Sequence, residues 1–315
     1  MRSFWPRFER KSRAGCSHGS LSPFIPGDRR TGLKRIYTFS LAVFILGTAM
    51  TLTGFGQKLK PEEIVARHLE SIGTPEARAA AKTRIAVGEA TVTFLSQKNQ
   101  LAIGRIVLAS AGGKNFFGLS LNALDYTGET FIYDGTKAGV ATPTNSPRSY
   151  LNIFVDGNRT VLRDSLLTGA LASSWVLTDL AGRKARVSGG GLKKLEGKEF
   201  YVLDYSSKGG GDYNVSLFFD KDTFRHVRTE YKRTSSAAIG TRPEQSSGYQ
   251  ETRIKIVETF ADFKSHGGLM LPASYKLIYS ETGARGTREV EWAYTLSEFA
   301  LNQTLDEKTF DVDAK

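Results

Sequence analysis

The sequence predicts a mainly β domain with some helix (α+β): a strongly curved antiparallel sheet of about eleven strands covered by two or so helices. Three observations predict it. Short runs rich in β-branched and aromatic residues recur from Arg84 to Leu296, separated by Gly- and Asp-rich turn signals. In the later runs apolar residues alternate with polar ones, which gives a sheet one dry face and one wet face. Only two stretches carry helical spacing, so the dry face must curve around them to be covered.

In chain order, a helix opens at Pro61-Glu62-Glu63, where proline suits the first turn and the acids meet the positive end of the helix dipole. Ile64, Val65, Leu69 and Ile72 fall on one face, and Gly73 stops it. Strands follow at 84–95, 104–109, 116–121, 130–133 and 139–142. Residues 158–175 interrupt with helical spacing and put Leu162, Leu166 and Leu171 on a broad apolar stripe, which predicts a movable lid helix over the sheet. Strands resume at 200–205, 213–219, 223–231, 253–263, 274–279 and 288–296. Val290, Trp292, Tyr294 and Leu296 alternate with Glu289, Glu291, Ala293 and Thr295, and Tyr275, Leu277 and Tyr279 do the same on the strand before. The Ser/Gly/Pro-rich stretch 234–248 reads as a mobile hairpin loop, too short to divide domains. One domain over 57–315 is therefore expected.

Residues 1–56 read differently. They carry nine Lys and Arg against two acids, a net +7 of the chain's +11, so the remainder holds only +4. The basic excess belongs to the leader and is no nucleic-acid footprint. The apolar segment 36–52 follows the basic cluster Arg29, Arg30, Lys34 and Arg35 and ends near Gly54-Phe55-Gly56, the positive, apolar, small order of a secretory signal. Cleavage after Gly56 would release a periplasmic protein. The alternative is an uncleaved inner-membrane anchor through 36–52, diluted by Thr38, Ser40, Gly47, Thr48 and Thr51. The leader exceeds the usual length of ~15–30 residues, which suggests a start codon placed too early.

The chemistry that the sequence does not offer is equally informative. The single cysteine, Cys16, lies in the leader, so residues 57–315 have no disulfide and no thiol nucleophile. His68, His226 and His266 stand apart without metal-ligand spacing and read as scattered, solvated histidines. Asp220-Lys221-Asp222-Thr223 reads as a β-turn and not as a calcium loop. The glycine clusters 112–113, 189–191 and 209–211 read as turns between strands, because none joins a strand to a helix with a phosphate-binding lysine. No nucleophile elbow occurs, and Glu289 and Glu291 share a wet face. The expectation is a non-enzyme without metal or cofactor.

Phe200-Tyr201-Val202-Leu203, Phe218-Phe219-Asp220-Lys221-Asp222-Thr223, Val227-Arg228-Thr229-Glu230-Tyr231 and Phe260-Ala261-Asp262-Phe263 leading to Gly267-Gly268-Leu269-Met270-Leu271-Pro272 carry a resemblance. In that order the chain resembles the outer-membrane lipoprotein-sorting (LolA/LolB-like) superfamily over about residues 57–315. The resemblance implies an unclosed β-barrel with helices as a lid over a hydrophobic cavity that holds acyl chains of lipids or lipoproteins in transit. The family's cargo-gating arginine has no counterpart legible in this sequence. The residue pattern supplies a lining: Tyr275, Leu277, Tyr279, Trp292 and Tyr294 would form two aromatic ladders side by side. A carrier needs such a cavity, because an acyl chain exposed to water costs ~0.8 kcal/mol per CH₂. The same five residues would equally fill a solid core. Expected partners are a lipid or acylated protein, with inner- or outer-membrane envelope components and no nucleic acid. The alternative function is a periplasmic sensor or scaffold that binds a membrane partner.

Overall fold

The structure, a computed structural model, describes residues 59–97, 100–143, 146–236 and 251–313. The leader, its apolar segment and cleavage site, and residues 237–248 of the expected loop lie outside the described residues. Helix α1 (Pro61–Ile72) starts at the expected proline and buries Ile64, Val65 and Ile72, together with His68. A short helix not legible in the sequence, α2 (Pro75–Ala80), follows, with Thr74 Oγ1 accepting from the Ala77 amide at 3.2 Å.

Twelve strands form one antiparallel sheet. They are β1 (Thr83–Phe94), β2 (Gln100–Ala111), β3 (Lys114–Leu121), β4 (Gly128–Tyr133), β5 (Ala138–Ala141), β6 (Arg186–Leu195), β7 (Lys198–Ser206), β8 (Asn214–Asp220), β9 (His226–Ser235), β10 (Thr252–His266), β11 (Leu269–Gly283) and β12 (Gly286–Leu301). Every pairing but one joins sequence neighbours, because short hairpins are the cheapest way to satisfy a strand's backbone groups. The exception is β1 with β12, which sit side by side at the sheet's centre and join an N-terminal meander (β1–β5) to a C-terminal one (β6–β12). The consecutive strands β5 and β6 therefore end at opposite edges and do not pair, which leaves the barrel unclosed.

The described part of the connection between those two edges, residues 146–185, covers the dry face. It touches strands far apart in sheet order: Phe154 meets Tyr231 of β9 at 5.2 Å, Tyr150 stacks on Tyr279 of β11 at 4.9 Å, and Asn115 of β3 donates to the Leu162 carbonyl at 2.9 Å. One segment can reach all of these only if the sheet wraps around it.

Four expectations need correction. The sheet has twelve strands; β6 was missed because it is an edge strand with most of its residues exposed and no alternation to read. The Gly189–Gly191 cluster is accordingly a bulge inside β6 and not a turn. At Gly190 (φ +90°) a Cβ would lie 2.5 Å from the Leu59 carbonyl, so glycine lets the chain leading into α1 cross the strand. The continuous lid helix over 158–175 does not exist. Leu162, Leu166 and Leu171 are buried as its stripe implied, but after α3 (Tyr150–Gly157) the chain breaks into short pieces: Leu162 lies on α4 (Thr160–Arg163), Leu166 in the turn after it and Leu171 at the end of a 3-10 turn, Gly169–Leu171. Ser165 (φ 49°) and Thr168 (φ 73°) adopt left-handed backbone that no helix continues through. Finally, His68 and His226 are buried in the core rather than solvated, their rings 6.0 Å apart.

Candidate functional site

The alternation that nominated Tyr275, Leu277, Tyr279, Trp292 and Tyr294 places them together. In register, Tyr275 lies opposite Tyr294, Leu277 opposite Trp292, and Tyr279 opposite Val290. All five are buried. Tyr275 stacks between Phe260 and Tyr294, each ring at 5.2 Å, and Trp292 Nε1 donates to the Tyr126 hydroxyl at 3.1 Å. Tyr279 is covered by Tyr150 of α3. In this arrangement the ladders are packed against the covering segment.

What fastens that segment is polar, and most of it escaped sequence reasoning. Glu258, on the dry face of β10, accepts from the Thr168 amide at 3.0 Å, the Tyr275 hydroxyl at 2.7 Å and the Tyr231 hydroxyl at 2.6 Å. Glu129, on the dry face of β4, accepts from Tyr126 at 2.5 Å and from Ser149, the N-cap of α3, at 2.6 Å. Burial pushes both carboxyl groups up to about 7, against the opposing pull of these donors. Arg84 of β1, 5% exposed, donates from Nη1 to the carbonyls of Ala170 at 2.7 Å and Ala172 at 3.2 Å. Trp175 Nε1 donates to His68 Nε2 at 3.0 Å while His68 Nδ1 donates to the Phe224 carbonyl at 3.1 Å, which sets a neutral imidazole. Burial holds His68 down to about 4 and pushes His226 well below the usual histidine value. The signal for the carboxylates was present: Glu258 is in phase with Ile256 and Phe260, and Glu129 with Phe131 and Tyr133, so each occupies an apolar position of its strand.

Two hollows open beside the covering segment. A groove of about 420 Å³ runs between it and strands β7–β9, with Phe154, Val161, Leu166, Val215 and Tyr231 among its walls. A second hollow of about 450 Å³ is lined by Arg163, Arg183, Lys184 and Lys208 together with Asp164 and Asp179. Between them stands a partition in which Tyr205 donates to Asp164 at 2.7 Å and Arg163 pairs with the same carboxylate at 2.9 Å. The lining expected from alternation, Tyr275, Leu277, Tyr279, Trp292 and Tyr294, belongs to neither hollow. Leu166 of the covering segment does face the groove. Among the described residues no group of three or more His, Cys, Asp or Glu is placed to hold a metal ion, and no helix is long and apolar enough to cross a membrane.

No family model matches the sequence, and no curated protein matches it significantly. Among solved structures the chain is similar to a LolA superfamily protein from Nitrosomonas europaea, with 16% identity and a TM-score of 0.44 over 80% of this chain and 98% of that one. It is also similar to a DUF1329 family protein from Desulfovibrio piger, with 11% identity and a TM-score of 0.38 over 80% of this chain and 98% of that one. A chain of the MucA/MucB complex of Pseudomonas aeruginosa is similar at 9% identity and a TM-score of 0.20, over 77% of this chain and 100% of that one.

Proposed function

We propose that this protein is an exported envelope carrier that holds a lipid or an acylated protein beneath its covering segment, without catalysis. The observation that carries the reading is the way the cover is made. Residues 146–185 lie over a wide aromatic face as short helices and turns, pinned by Glu129, Glu258, Arg84 and His68, with an apolar-walled groove already open along one side. A cover built of short pieces can lift in parts, whereas a long packed helix must move as a whole. The five ladder residues would then become the deeper lining once the cover lifts. The bonds of Arg84 to the Ala170 and Ala172 carbonyls are the kind that cargo entry beneath the cover would break. Both buried carboxylates are occupied by donors in the core rather than aimed into a cleft, which supports a structural part for them.

Native mass spectrometry of the protein taken from its own envelope should find co-purified lipid, and a fatty-acyl probe should change Trp292 fluorescence in a Trp175→Phe background. Leu277→Trp should weaken uptake, at a stability cost of ~1–3 kcal/mol because Leu277 is fully buried beneath the closed cover. If the parent takes up no probe, the face is a filled core. Export rests on the basic, apolar, small order of the leader, and N-terminal sequencing should place the first residue at Gln57.

A specific observation also favours the partner-binding reading. Leu95, Leu101, Ile103 and Leu124 are exposed around the β1–β2 hairpin and the β3–β4 connection, with Leu124 95% exposed. Exposed apolar side chains gathered in one place suit docking to a membrane component. Charging them (Leu101→Glu with Ile103→Glu) should release such a partner from a pull-down and leave acyl-probe uptake unchanged.

A further inference from the structure

The cationic hollow beside the groove has no part in holding an acyl chain, and its chemistry is specific. Four cations line it against two carboxylates. One carboxylate, Asp164, is buried and already taken by Arg163 and Tyr205; the other, Asp179, accepts from the Gly182 amide at 2.9 Å. Arg183 is held in place by the carbonyls of Arg163 and Ser174, the latter at 3.0 Å, which fixes its guanidinium and leaves N–H donors over. Lys184 and Lys208 are exposed, and neither ammonium has a carboxylate partner among the described residues. One guanidinium fixed by backbone carbonyls (Arg183), one held by Asp164 (Arg163) and two ammonium groups without a carboxylate partner among the described residues make a positive cradle.

Its position gives the cradle meaning. The groove and the hollow share the Tyr205–Asp164–Arg163 partition, and the β7–β8 connection gives Ser207 and Gly210 to the groove but Lys208 to the hollow. Arg163 also reaches the Lys208 carbonyl at 3.5 Å, so both hollows meet at one rim. From this juxtaposition we propose that groove and hollow form one bipartite site for an amphiphile with a phosphate head, its acyl chain in the groove and its phosphate among Arg163, Arg183, Lys184 and Lys208. Guanidinium forks and ammonium groups suit phosphate oxygens, and the uneven charge favours an anion over a zwitterion or a neutral head. The inference rests on the carrier reading and adds the class of cargo.

The test uses the full chain and three probes at submicellar concentration: lysophosphatidic acid, a monoacylglycerol of the same chain length, and inorganic phosphate. Lysophosphatidic acid should bind at least about tenfold more tightly than the monoacylglycerol, and added salt should shrink the difference. The double variant Lys184→Gln, Lys208→Gln should remove most of that preference without changing monoacylglycerol affinity. Val215→Trp, which fills the groove, should weaken both lipids. Equal binding of the two lipids, untouched by the lysine changes, would overturn the bipartite site and leave the carrier reading standing. Binding of neither lipid would sink both. Inorganic phosphate binding as tightly as lysophosphatidic acid would make the hollow a free-anion site unconnected to the groove, and so overturn the proposal as well.

Discussion

The two meanders of the sheet bury the same inner face but treat the outer face in opposite ways. In the N-terminal half, Ile106 to Ser110 of β2 and Phe116 to Leu119 of β3 are buried without a break. Their outward members Val107, Ala109 and Phe116 join Ile85, Ile132 and Phe310 in a second, smaller core, closed by the C-terminal turn Glu307–Phe310. In the C-terminal half the outer face is ionic. Glu230 sits between Arg228 at 2.7 Å and Lys255 at 3.4 Å, and Lys276 pairs with Glu291 at 3.0 Å. The lesson concerns legibility: a strand dry on both faces reads as an apolar run, and only a strand with one wet face shows period two.

The largest expected effect tests the second core. Val107→Asp, at 1% exposure, should cost several kcal/mol in denaturant unfolding, on the order of 3–5, because an unpaired charge is buried on what alternation alone would call the wet side. Leu166→Asp in the covering segment, at 2% exposure, should cost nearly as much. A loss below ~0.5 kcal/mol for Val107→Asp would erase the difference between the halves. The same small loss for Leu166→Asp would mean that the cover is not packed.

A smaller effect concerns what the halves share, a buried carboxylate pinning the cover. Glu129 and Glu258 are each raised from 4.5 to about 7 by burial, so the folded protein holds their protons more tightly than the unfolded chain does. Their contribution is complete below about pH 4.5 and is lost as pH rises through 7, roughly 3 kcal/mol for each. His68 runs the other way. Lowered by burial from 6.5 to about 4, it stabilises above pH 6.5 and loses that contribution as pH falls through 4. Between pH 4.5 and 6.5 the slopes oppose: the two carboxyl groups lower stability as pH rises, while His68, joined by His226 whose imidazole burial also holds down, raises it. Glu258→Gln and Glu129→Gln should each gain roughly 3 kcal/mol on the parent between pH 4.5 and 8, measured as the difference in unfolding free energy. A gain confined to one variant would show that only one half pins the cover with an ionisable group.

The sheet was legible wherever one physical constraint dominated. Alternation on β11 and β12 named the paired ladder residues correctly, because a wet outer face forces polar residues into every second position. It failed at β6, where neither face is dry. Helical periodicity misread 158–175 for a different reason: Leu162, Leu166 and Leu171 are buried by a chain that turns back on itself over an aromatic floor, and burial at that spacing does not require a helix. The polar pins were the least legible. Arg84 sits in a strand of mixed character, and nothing local says that its guanidinium meets carbonyls 86 and 88 residues away. His68 and Trp175 are 107 residues apart and meet only because α1 and the covering segment pack over β8 and β9. Glu258 and Glu129 were readable in phase, yet a carboxylate in an apolar position gains meaning only once its hydroxyl donors are placed around it.

The smallest expected effect is the sharpest check on the C-terminal outer face. Lys276 and Glu291 pair across β11 and β12 with side chains 41% and 24% exposed, so solvent screens the attraction, and ordering a long lysine side chain offsets part of it. Lys276→Gln should therefore change unfolding free energy by less than about 0.5 kcal/mol, and the difference should shrink further in 1 M salt, where the screening length falls to about 3 Å. The result matters because Lys276 lies between Tyr275 and Leu277, two of the most deeply buried residues in the molecule. A one-residue slip of β11 would put its ammonium among Glu258, Trp292 and Tyr294 on the dry face, where losing the charge would shift stability by several kcal/mol. A null result fixes the register of β11 and keeps the ionic outer face as the feature that separates the two meanders. A large one would reverse the strand's faces and, with them, the placement of the aromatic ladders.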